Sequence, residues 1–209
     1  MSRAPLPDAP PSWSSDPRGR LAATMAVVSS ERGYAATRVT DVLERTGISS
    51  RTFYAHFDNR EACFFVAYDA IIADLVQLLK PEQVEDPETT VEVTLERVLG
   101  HFAAWPAHAR VLLVEILSTG PRGSERYEQT MAMLSARLAA CPRWQPGRCD
   151  SLERQEVAQA VMGAMARMIQ LRLSAGEEHA LPRLLPSLTA LTTRVGLAVE
   201  RDRATPARG

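Results

Sequence analysis

Apolar residues recur every three to four positions along most of the chain, the period of amphipathic α-helices. The first stripe, Leu21, Met25 and Val28, follows the helix-start pair Asp16-Pro17 and precedes Gly33, a residue suited to a helix end. No segment of four or more residues alternates strictly between apolar and polar in a strand-like run, so we predict an all-α fold of about nine helices. The predicted segments are 17–32, 38–46, 50–56, 58–79, 88–104, 106–118, 122–140, 151–174 and 181–201.

Capping residues support the short helices near the amino terminus. Thr37 is predicted to cap the second helix and Ser49 the third, while Gly47 separates the two. Asp58 with Glu61 forms a capping-box pattern for the fourth. These signals predict three closely spaced helices before residue 60.

The second and third predicted helices, joined at Thr46-Gly47-Ile48, have the plan of a helix-turn-helix that lays its second helix in the major groove of DNA. Phe53 and Phe57 share one face of the third helix, which turns Ser50, Arg51 and Tyr54 outward. Arg51 is then available to a guanine edge, and the hydroxyls of Tyr54 and Thr52 to phosphates.

The composition and charge of the chain agree with a DNA-binding segment attached to a globular protein. The chain has 209 residues, 45% of them hydrophobic, which is enough for a core without metal or disulfides. Seven arginines and four acids fall between residues 17 and 60, whereas segment 81–96 has six acids and no base. A mildly basic amino-terminal third is what a nucleic-acid-binding segment would show, but charge alone favours solvated helix faces.

Several other classes are not favoured. The longest stretch without Asp, Glu, Lys or Arg is 12 residues, well short of a membrane span, and the Pro-rich start lacks an apolar signal core, so we expect a cytoplasmic protein. Cys63, Cys141 and Cys149 form no CxxC and indicate reduced structural thiols, with no metal and no cofactor. The GxSxG, HExxH, GxGxxG and Walker motifs do not occur, so we predict no enzyme and no catalytic residues.

The string ERGYAATRVTDVLERTGISSRTFYAHFDNREACF resembles the DNA-binding signature of the tetracycline-repressor (TetR) family. It carries E-x-G-Y, T-x-V-x-D-V, the turn T-G-I-S, T-F-Y-x-H-F and a basic residue before Glu, over about residues 18–68. Departures at Ser29, Leu43, Thr46 and Cys63 concern packing. The resulting DNA-binding set is Thr37, Arg38, Thr40, Ser49, Ser50, Arg51, Thr52, Tyr54, His56 and Arg60.

Two aromatic residues, one within this set and one near it, have alternative interpretations. His56 either contacts a phosphate or only caps or braces the end of its helix. Trp13 either reaches the minor groove or is a solvent-exposed residue of a disordered arm.

The resemblance also implies a domain organisation. We expect a disordered arm over 1–14, a DNA-binding domain over 15–75 with its motif at about 38–57, a regulatory and dimerisation domain over 76–203, and a disordered tail over 204–209.

Segment 157–173 has only two charged residues, Arg167 and Arg172, so it is predicted to be covered by a second copy of the chain. A wholly intramolecular core is the alternative. The predicted homodimer interface comprises Ala160, Gly163, Ala164, Arg167, Leu184, Leu188, Leu191 and Val195.

A small-molecule pocket is the other feature that the resemblance implies. Its candidate lining residues, each of which has plain core as the alternative, are Phe102, Trp105, Leu112, Ile116, Met131, Met162, Met165 and Met168. His101, His108 and Glu115 either orient polar groups of the ligand or lie on the wet faces of their helices.

Together these patterns predict a dimeric repressor that binds a palindromic double-stranded DNA operator and is released by a small, mostly apolar effector. The alternative is a regulator of the same family without a small-molecule inducer, controlled by a protein partner or acting as an activator.

Overall fold

The computed structural model describes residues 12–80, 87–141, 144 and 150–202, and the regular elements within these ranges are all helical. The all-α prediction is therefore confirmed. No helix in the described ranges is long and apolar enough to cross a membrane. The α-helices are α1 (Pro17–Arg32), α2 (Val39–Thr46), α3 (Ser50–His56), α4 (Arg60–Leu78), α5 (Pro87–Ala104), α6 (Pro106–Leu113), α7 (Pro121–Ala139), α8 (Ser151–Ser174) and α9 (Leu185–Asp202).

The helix predicted over 106–118 is two elements. It consists of α6 and a 3₁₀ helix, Glu115–Thr119, separated at Val114, whose φ of −121° and ψ of −59° leave the α-helical range. The change of winding directs the Glu115 carboxylate to the backbone N–H of Tyr34.

The helix predicted over 181–201 also begins differently. A 3₁₀ helix, Glu178–Leu184, contains Pro182 and precedes α9. Pro186 then occupies the second position of α9, where a missing N–H leaves no helical hydrogen bond unmade.

The helix caps agree with the prediction at two helices and differ at two. Asp16 accepts the Gly19 N–H at 2.6 Å and Ser49 accepts the Thr52 N–H at 3.1 Å, as expected. The capping position of α2 is occupied by Arg38, because the Thr37 hydroxyl donates backwards to the Gly33 carbonyl at 2.9 Å. The cap of α4 also differs from the prediction. Asn59 Oδ1, instead of the Asp58 side chain, accepts the Ala62 N–H at 2.8 Å.

The chain divides into two compact units. The amino-terminal unit comprises Met1–Gln77 with His101–Tyr127, and the carboxyl-terminal unit comprises Leu78–Gly100 with Glu128–Gly209. Segment 101–127 thus packs with the first four helices, although it lies within the regulatory domain that we predicted from residue 76. The functional division at that residue remains a prediction.

The core of the amino-terminal unit forms around α1, which contacts α2, α3 and α6. Leu21 and Met25 of α1 are fully buried, as are Phe53 of α3 and Tyr68 of α4. Cys63 lies in the same core, and burial raises the pKa of its thiol to about 12, which keeps the thiol protonated. Cys63 is therefore a packing residue, as predicted.

The core of the carboxyl-terminal unit is formed by α8, α9 and the 3₁₀ helix before α9. Val161 and Leu173 of α8 and Leu188 of α9 are buried. Trp144 Nε1 donates to the Thr192 carbonyl at 3.1 Å, which holds Trp144, between α7 and α8 in the sequence, against α9. Cys149 lies outside the described residues.

The structure contradicts one of the two interpretations of Trp13, the solvent-exposed arm residue. Ser12–Ser14 form a short 3₁₀ helix in which Trp13 is half-buried, and the indole Nε1–H donates to Asp74 Oδ2 of α4 at 2.8 Å. The indole is thus bonded to α4 and is not a solvent-exposed arm residue. The rest of the predicted arm, residues 1–11, and the tail 204–209 lie outside the described residues.

The close approach of this segment to α1 depends on Gly19. A Cβ at Gly19 would lie 1.7 Å from the Trp13 carbonyl oxygen, whereas a Cβ at Gly100, also in a helix, would meet nothing within 4 Å. We therefore expect Gly100→Ala to stabilise the protein by roughly 0.5–1 kcal/mol, the usual gain in a helix. Gly19→Ala should instead destabilise it by about 1–3 kcal/mol because Trp13 must move. Urea denaturation monitored by tryptophan fluorescence measures both, and equal stabilisation of the two variants would contradict the packing described.

Candidate nucleic-acid interface

The turn between α2 and α3 is fixed by local hydrogen bonds. Gly47 adopts a left-handed conformation with φ 68° and ψ 9°, and its N–H donates to the Leu43 carbonyl at 2.9 Å. The Thr46 hydroxyl donates to the Val42 carbonyl and accepts the Ile48 N–H at 3.3 Å. The geometry is that of a helix-turn-helix, the motif that the spacing of the sequence predicts.

Burial of two phenylalanines orients α3. Phe53 and Phe57 are 0% and 4% exposed, with ring centroids 5.4 Å apart. The opposite face carries Ser50, Arg51 and Tyr54, all exposed, with 58% of Tyr54 accessible to solvent. A small residue, a guanidinium and a phenol therefore project together from one short helix, which is the chemistry needed to read base edges and bind phosphates.

The predicted DNA-binding residues are not equally accessible. Thr37 is buried, and its hydroxyl holds the Gly33 carbonyl. Thr52 is half-buried and hydrogen-bonded to the Ser49 hydroxyl at 2.9 Å. The exposed members of the set are Arg38, Thr40, Ser49, Ser50, Arg51, Tyr54 and His56.

Arg60 is half-buried at the start of α4 and has structural partners. Its Nη1 donates to the carbonyls of Tyr34 and Thr37, and its guanidinium carbon lies 4.2 Å from the centroid of the Tyr34 ring. Arg60 thereby braces the turn before α2. Its other N–H groups are the ones that remain for a phosphate.

The arginines of segment 17–60 divide into two groups by their partners. Arg32 pairs with Asp41, and Arg45 pairs with Glu31 at 2.6 Å. The hydrogen bond from the backbone N–H of Arg38 is the largest cause that lowers the pKa of Asp41, and the side chain of Arg32 lowers it further. This carboxylate therefore stays ionised. In the described part of the chain the other five arginines have no carboxylate at ion-pair distance: Arg18, Arg20, Arg38, Arg51 and Arg60.

Glu115 is a buried neighbour of this surface, and of its two interpretations the wet helix face is wrong. It is 4% exposed and does not lie on a wet face. Its Oε2 accepts the Tyr34 N–H at 2.7 Å, and its Oε1 lies 4.0 Å from Arg110 Nη2. A single carboxylate within the apolar run VLLVEIL is a signal of a buried polar partner, although the run does not identify that partner.

His101 and His108 form a pair in the same unit. Nε2 of His101 and Nδ1 of His108 are 3.0 Å apart, and Trp105 stacks on His108 with a centroid distance of 5.3 Å. Burial, aided by His101, lowers the pKa of His108 to about 3. Burial also lowers the pKa of His101, although the negative charge of Asp74 acts in the opposite direction. Both imidazoles are therefore neutral near pH 7, and His108 does not lie on a wet helix face.

The predicted effector-lining residues fall in both compact units. Phe102, Leu112 and Ile116 are buried in the amino-terminal unit, where Trp105 is half-buried. The four methionines of the set belong to the carboxyl-terminal unit, in which Met165 is buried and Met131, Met162 and Met168 are half-buried. The described residues contain no group of three or more His, Cys, Asp or Glu side chains that could hold a metal ion.

The predicted dimer residues also differ in exposure. Leu184 and Leu188 are buried within the single chain. Ala160, Gly163 and Arg167 lie exposed along one side of α8, and Ala164, Leu191 and Val195 are half-buried.

Comparison with known proteins agrees with this geometry. Residues 21–67, from α1 into α4, match the model of the family described as bacterial regulatory proteins, tetR family. The resemblance predicted from the sequence is confirmed for this segment, which contains the helix-turn-helix and matches the tetR family of bacterial regulatory proteins. No curated protein sequence matches the chain significantly.

Solved regulators have a similar fold along most of the chain. The fatty acid degradation regulator FadR from Bacillus halodurans is 16% identical with a TM-score of 0.71, covering 85% of this chain and 96% of its own. A TetR-like regulator from Rhodococcus is 20% identical with a TM-score of 0.62, covering 86% and 94%. FadR from Bacillus subtilis, in complex with stearoyl-CoA, is 13% identical with a TM-score of 0.64, covering 83% and 97%. At these identities the likeness establishes the fold alone.

The depressed pKa of His108 predicts how stability depends on pH. An unfolded histidine titrates near pH 6.5, whereas the folded one titrates at about 3, so between these values only the unfolded state binds this proton. The contribution of His108 is complete above about pH 6.5 and is lost as the pH falls towards 3. We expect His108→Asn to reduce the pH dependence of the unfolding free energy by up to about 1.4 kcal/mol per pH unit in that window. The exposed His179→Asn is the matched control, and superimposable curves for wild type and His108→Asn would contradict the burial of a neutral imidazole.

Proposed function

We propose that this protein is a dimeric transcriptional repressor that binds a palindromic operator through α3 and leaves it when a small, mostly apolar molecule binds. The observation that carries the proposal is the orientation of α3. Its aromatic face is buried while Ser50, Arg51 and Tyr54 are exposed, and arginines without carboxylate partners surround it.

Within this proposal the exposed residues have different roles. Arg51 is exposed and, within the described residues, has no hydrogen-bonding or ionic partner, so its guanidinium can form a bidentate contact with a guanine. Tyr54, Thr40 and Ser50 supply hydroxyls for phosphates and base edges. Arg38 and the remaining N–H groups of Arg60 add phosphate contacts, which strengthen binding without selecting a sequence.

Self-association is proposed to occur through α8. Ala160, Gly163 and Arg167 are exposed at helical spacing, and Leu171 on the same helix is 52% exposed. Small residues permit a second helix to approach closely, and an exposed leucine gains from being covered. Leu184 and Leu188 then support the surface from within the chain, and Leu191 and Val195 extend it. Sedimentation of the intact chain at micromolar concentration tests this step, and a monomer contradicts it.

The effector is proposed to be mostly apolar because apolar and methionine side chains dominate the predicted lining set. FadR from Bacillus subtilis, a structural neighbour, was solved with stearoyl-CoA, which makes long-chain acyl thioesters reasonable first probes. To move the protein from 99:1 to 1:99 between binding and non-binding states, the effector must prefer one state by about 5.5 kcal/mol.

The packing of segment 106–119 supports a link between effector and operator. This part of the predicted regulatory domain shares a compact unit with α1, α2 and α3. The Glu115 carboxylate bonds the backbone of Tyr34, immediately before the helix-turn-helix. A shift of Glu115 on effector binding would therefore reach the operator-binding helices through one hydrogen bond.

The first test concerns base recognition. Binding-site selection from random DNA should yield a palindrome with half-site centres about 34 Å apart or a multiple of that spacing. Arg51→Ala should weaken binding to the selected site by roughly 1–3 kcal/mol and relax base preference at one position of each half-site. Arg126→Ala, which removes an arginine already paired with Asp69, is the control and should keep the wild-type preference. A folded dimer that enriches no motif would contradict the proposal.

The second test separates effector control from the alternative. Stearoyl-CoA and a panel of apolar metabolites should include a compound that lowers operator affinity at least tenfold. Met165→Trp, which enlarges a buried side chain of the predicted lining, should abolish that response and leave operator affinity near wild type. Met133→Trp, at a half-buried position outside the predicted lining, is the matched control. If only a protein partner changes operator affinity, the chain is a partner-controlled regulator of the same family.

A further inference from the structure

We propose that Arg18 and Arg20, in the first turns of α1, bind DNA phosphates at the two ends of α3. This inference rests on the proposed function. It adds a fourth helix to the contact surface, since the residues predicted to touch DNA lie in or next to α2, α3 and α4.

The two arginines lie beside opposite ends of α3. Arg20 Nη2 is 3.5 Å from the carbonyl oxygen of Thr46, where the chain leaves α2 and turns towards the start of α3. The guanidinium carbon of Arg18 is 5.6 Å from the ring centroid of Phe57, the residue that ends α3. One positive charge therefore stands at the turn that leads from α2 into α3, and the other at the carboxyl end of α3.

The dimensions of DNA make phosphates the natural partners of charges in these positions. A helix of seven residues is about 10 Å long, and the major groove is about 12 Å wide with phosphates along both edges. A guanidinium beside either end of a helix in the groove therefore lies close to the sugar-phosphate backbone. Neither arginine projects from the exposed face of α3, so neither is placed to read bases.

The local electrostatics do not account for these arginines as stabilisers of their own helix. The amino end of a helix carries partial positive charge, and the first turn of α1 contains no acidic residue to offset Arg18. Asp16 already caps this end by accepting the Gly19 N–H. The side chains are exposed, and neither has a carboxylate at ion-pair distance in the described part of the chain.

Their existing contacts leave donors for a phosphate. The bond from Arg20 to Thr46 is at the long limit for a hydrogen bond and uses one N–H of a group that has five. The contact between Arg18 and Phe57 uses the face of the guanidinium and leaves its edge N–H groups available.

The experiment measures how operator affinity depends on salt for the intact chain on its selected DNA site. Each phosphate contact that is lost should reduce the slope of log K against log salt by about 0.9. Arg18→Ala/Arg20→Ala removes two arginines from each subunit of the proposed dimer, so it should reduce the slope by about 3.6. Base preference within the half-site should be unchanged. Arg18→Lys/Arg20→Lys should recover most of the slope because the charge is kept.

Arg126→Ala is the control for net charge. It removes one positive charge from the same unit, and its partner Asp69 lies nine residues along α4 from Arg60, which corresponds to about 13 Å. Its salt slope should equal that of the wild type. Thermal unfolding of each variant shows whether the fold is kept.

The outcomes separate this assignment from the function on which it rests. A wild-type chain that selects no DNA sequence overturns the proposed function. A wild-type chain that selects a site, with a folded Arg18→Ala/Arg20→Ala variant of full salt slope, overturns the phosphate assignment alone. An equal loss of slope in Arg126→Ala, or a changed base preference in the double variant, also overturns it.

Discussion

The burial of Phe53 and Phe57 is the interaction on which the candidate interface depends. A helix of seven residues has too few hydrogen bonds to be stable by itself, so α3 exists because its aromatic face is packed in the amino-terminal unit. The same packing decides which side chains are exposed. Arg51 and Tyr54 project to solvent because helical geometry gives them no other direction once the two rings are buried.

The backbone just before α2 is held by two charged side chains from distant parts of the chain. Arg60 donates to the carbonyls of Tyr34 and Thr37, while Glu115 accepts the N–H of Tyr34. A buried carboxylate requires such partners, and removing it would leave the Tyr34 N–H without an acceptor. The start of the helix-turn-helix is thus fixed to α4 and to the 3₁₀ helix after α6. The bond from Tyr34 to Glu115 thus joins a segment of the predicted regulatory domain directly to the backbone before α2.

The pairing of charges defines the interface more sharply than their number. The whole chain has a formal net charge of −1, and the excess of positive charge between residues 17 and 60 is small. Ion pairs neutralise Arg32 and Arg45, which leaves the remaining cations around α2, α3 and the start of α1. A modest net charge therefore coexists with a locally positive surface, which is what association with a polyanion requires.

The sequence by itself determined the features that arise from near neighbours along the chain. Helical periodicity, the caps Asp16 and Ser49, the left-handed Gly47 and the spacing of Phe53 and Phe57 all depend on residues within a few positions of one another. These features sufficed to predict the all-α fold, the helix-turn-helix and the exposed face of α3. The breaks near Val114 and Leu185 were missed because apolar spacing continues through both.

Tertiary structure decided the contacts between residues far apart in sequence. Tyr34 and Glu115 are separated by 81 positions, and Trp13 and Asp74 by 61. The sequence contains the residues of these pairs and the histidines of the buried pair, but no local pattern states which donor meets which acceptor. Only the folded chain, by removing these polar groups from water together, determines the partners that compensate their burial.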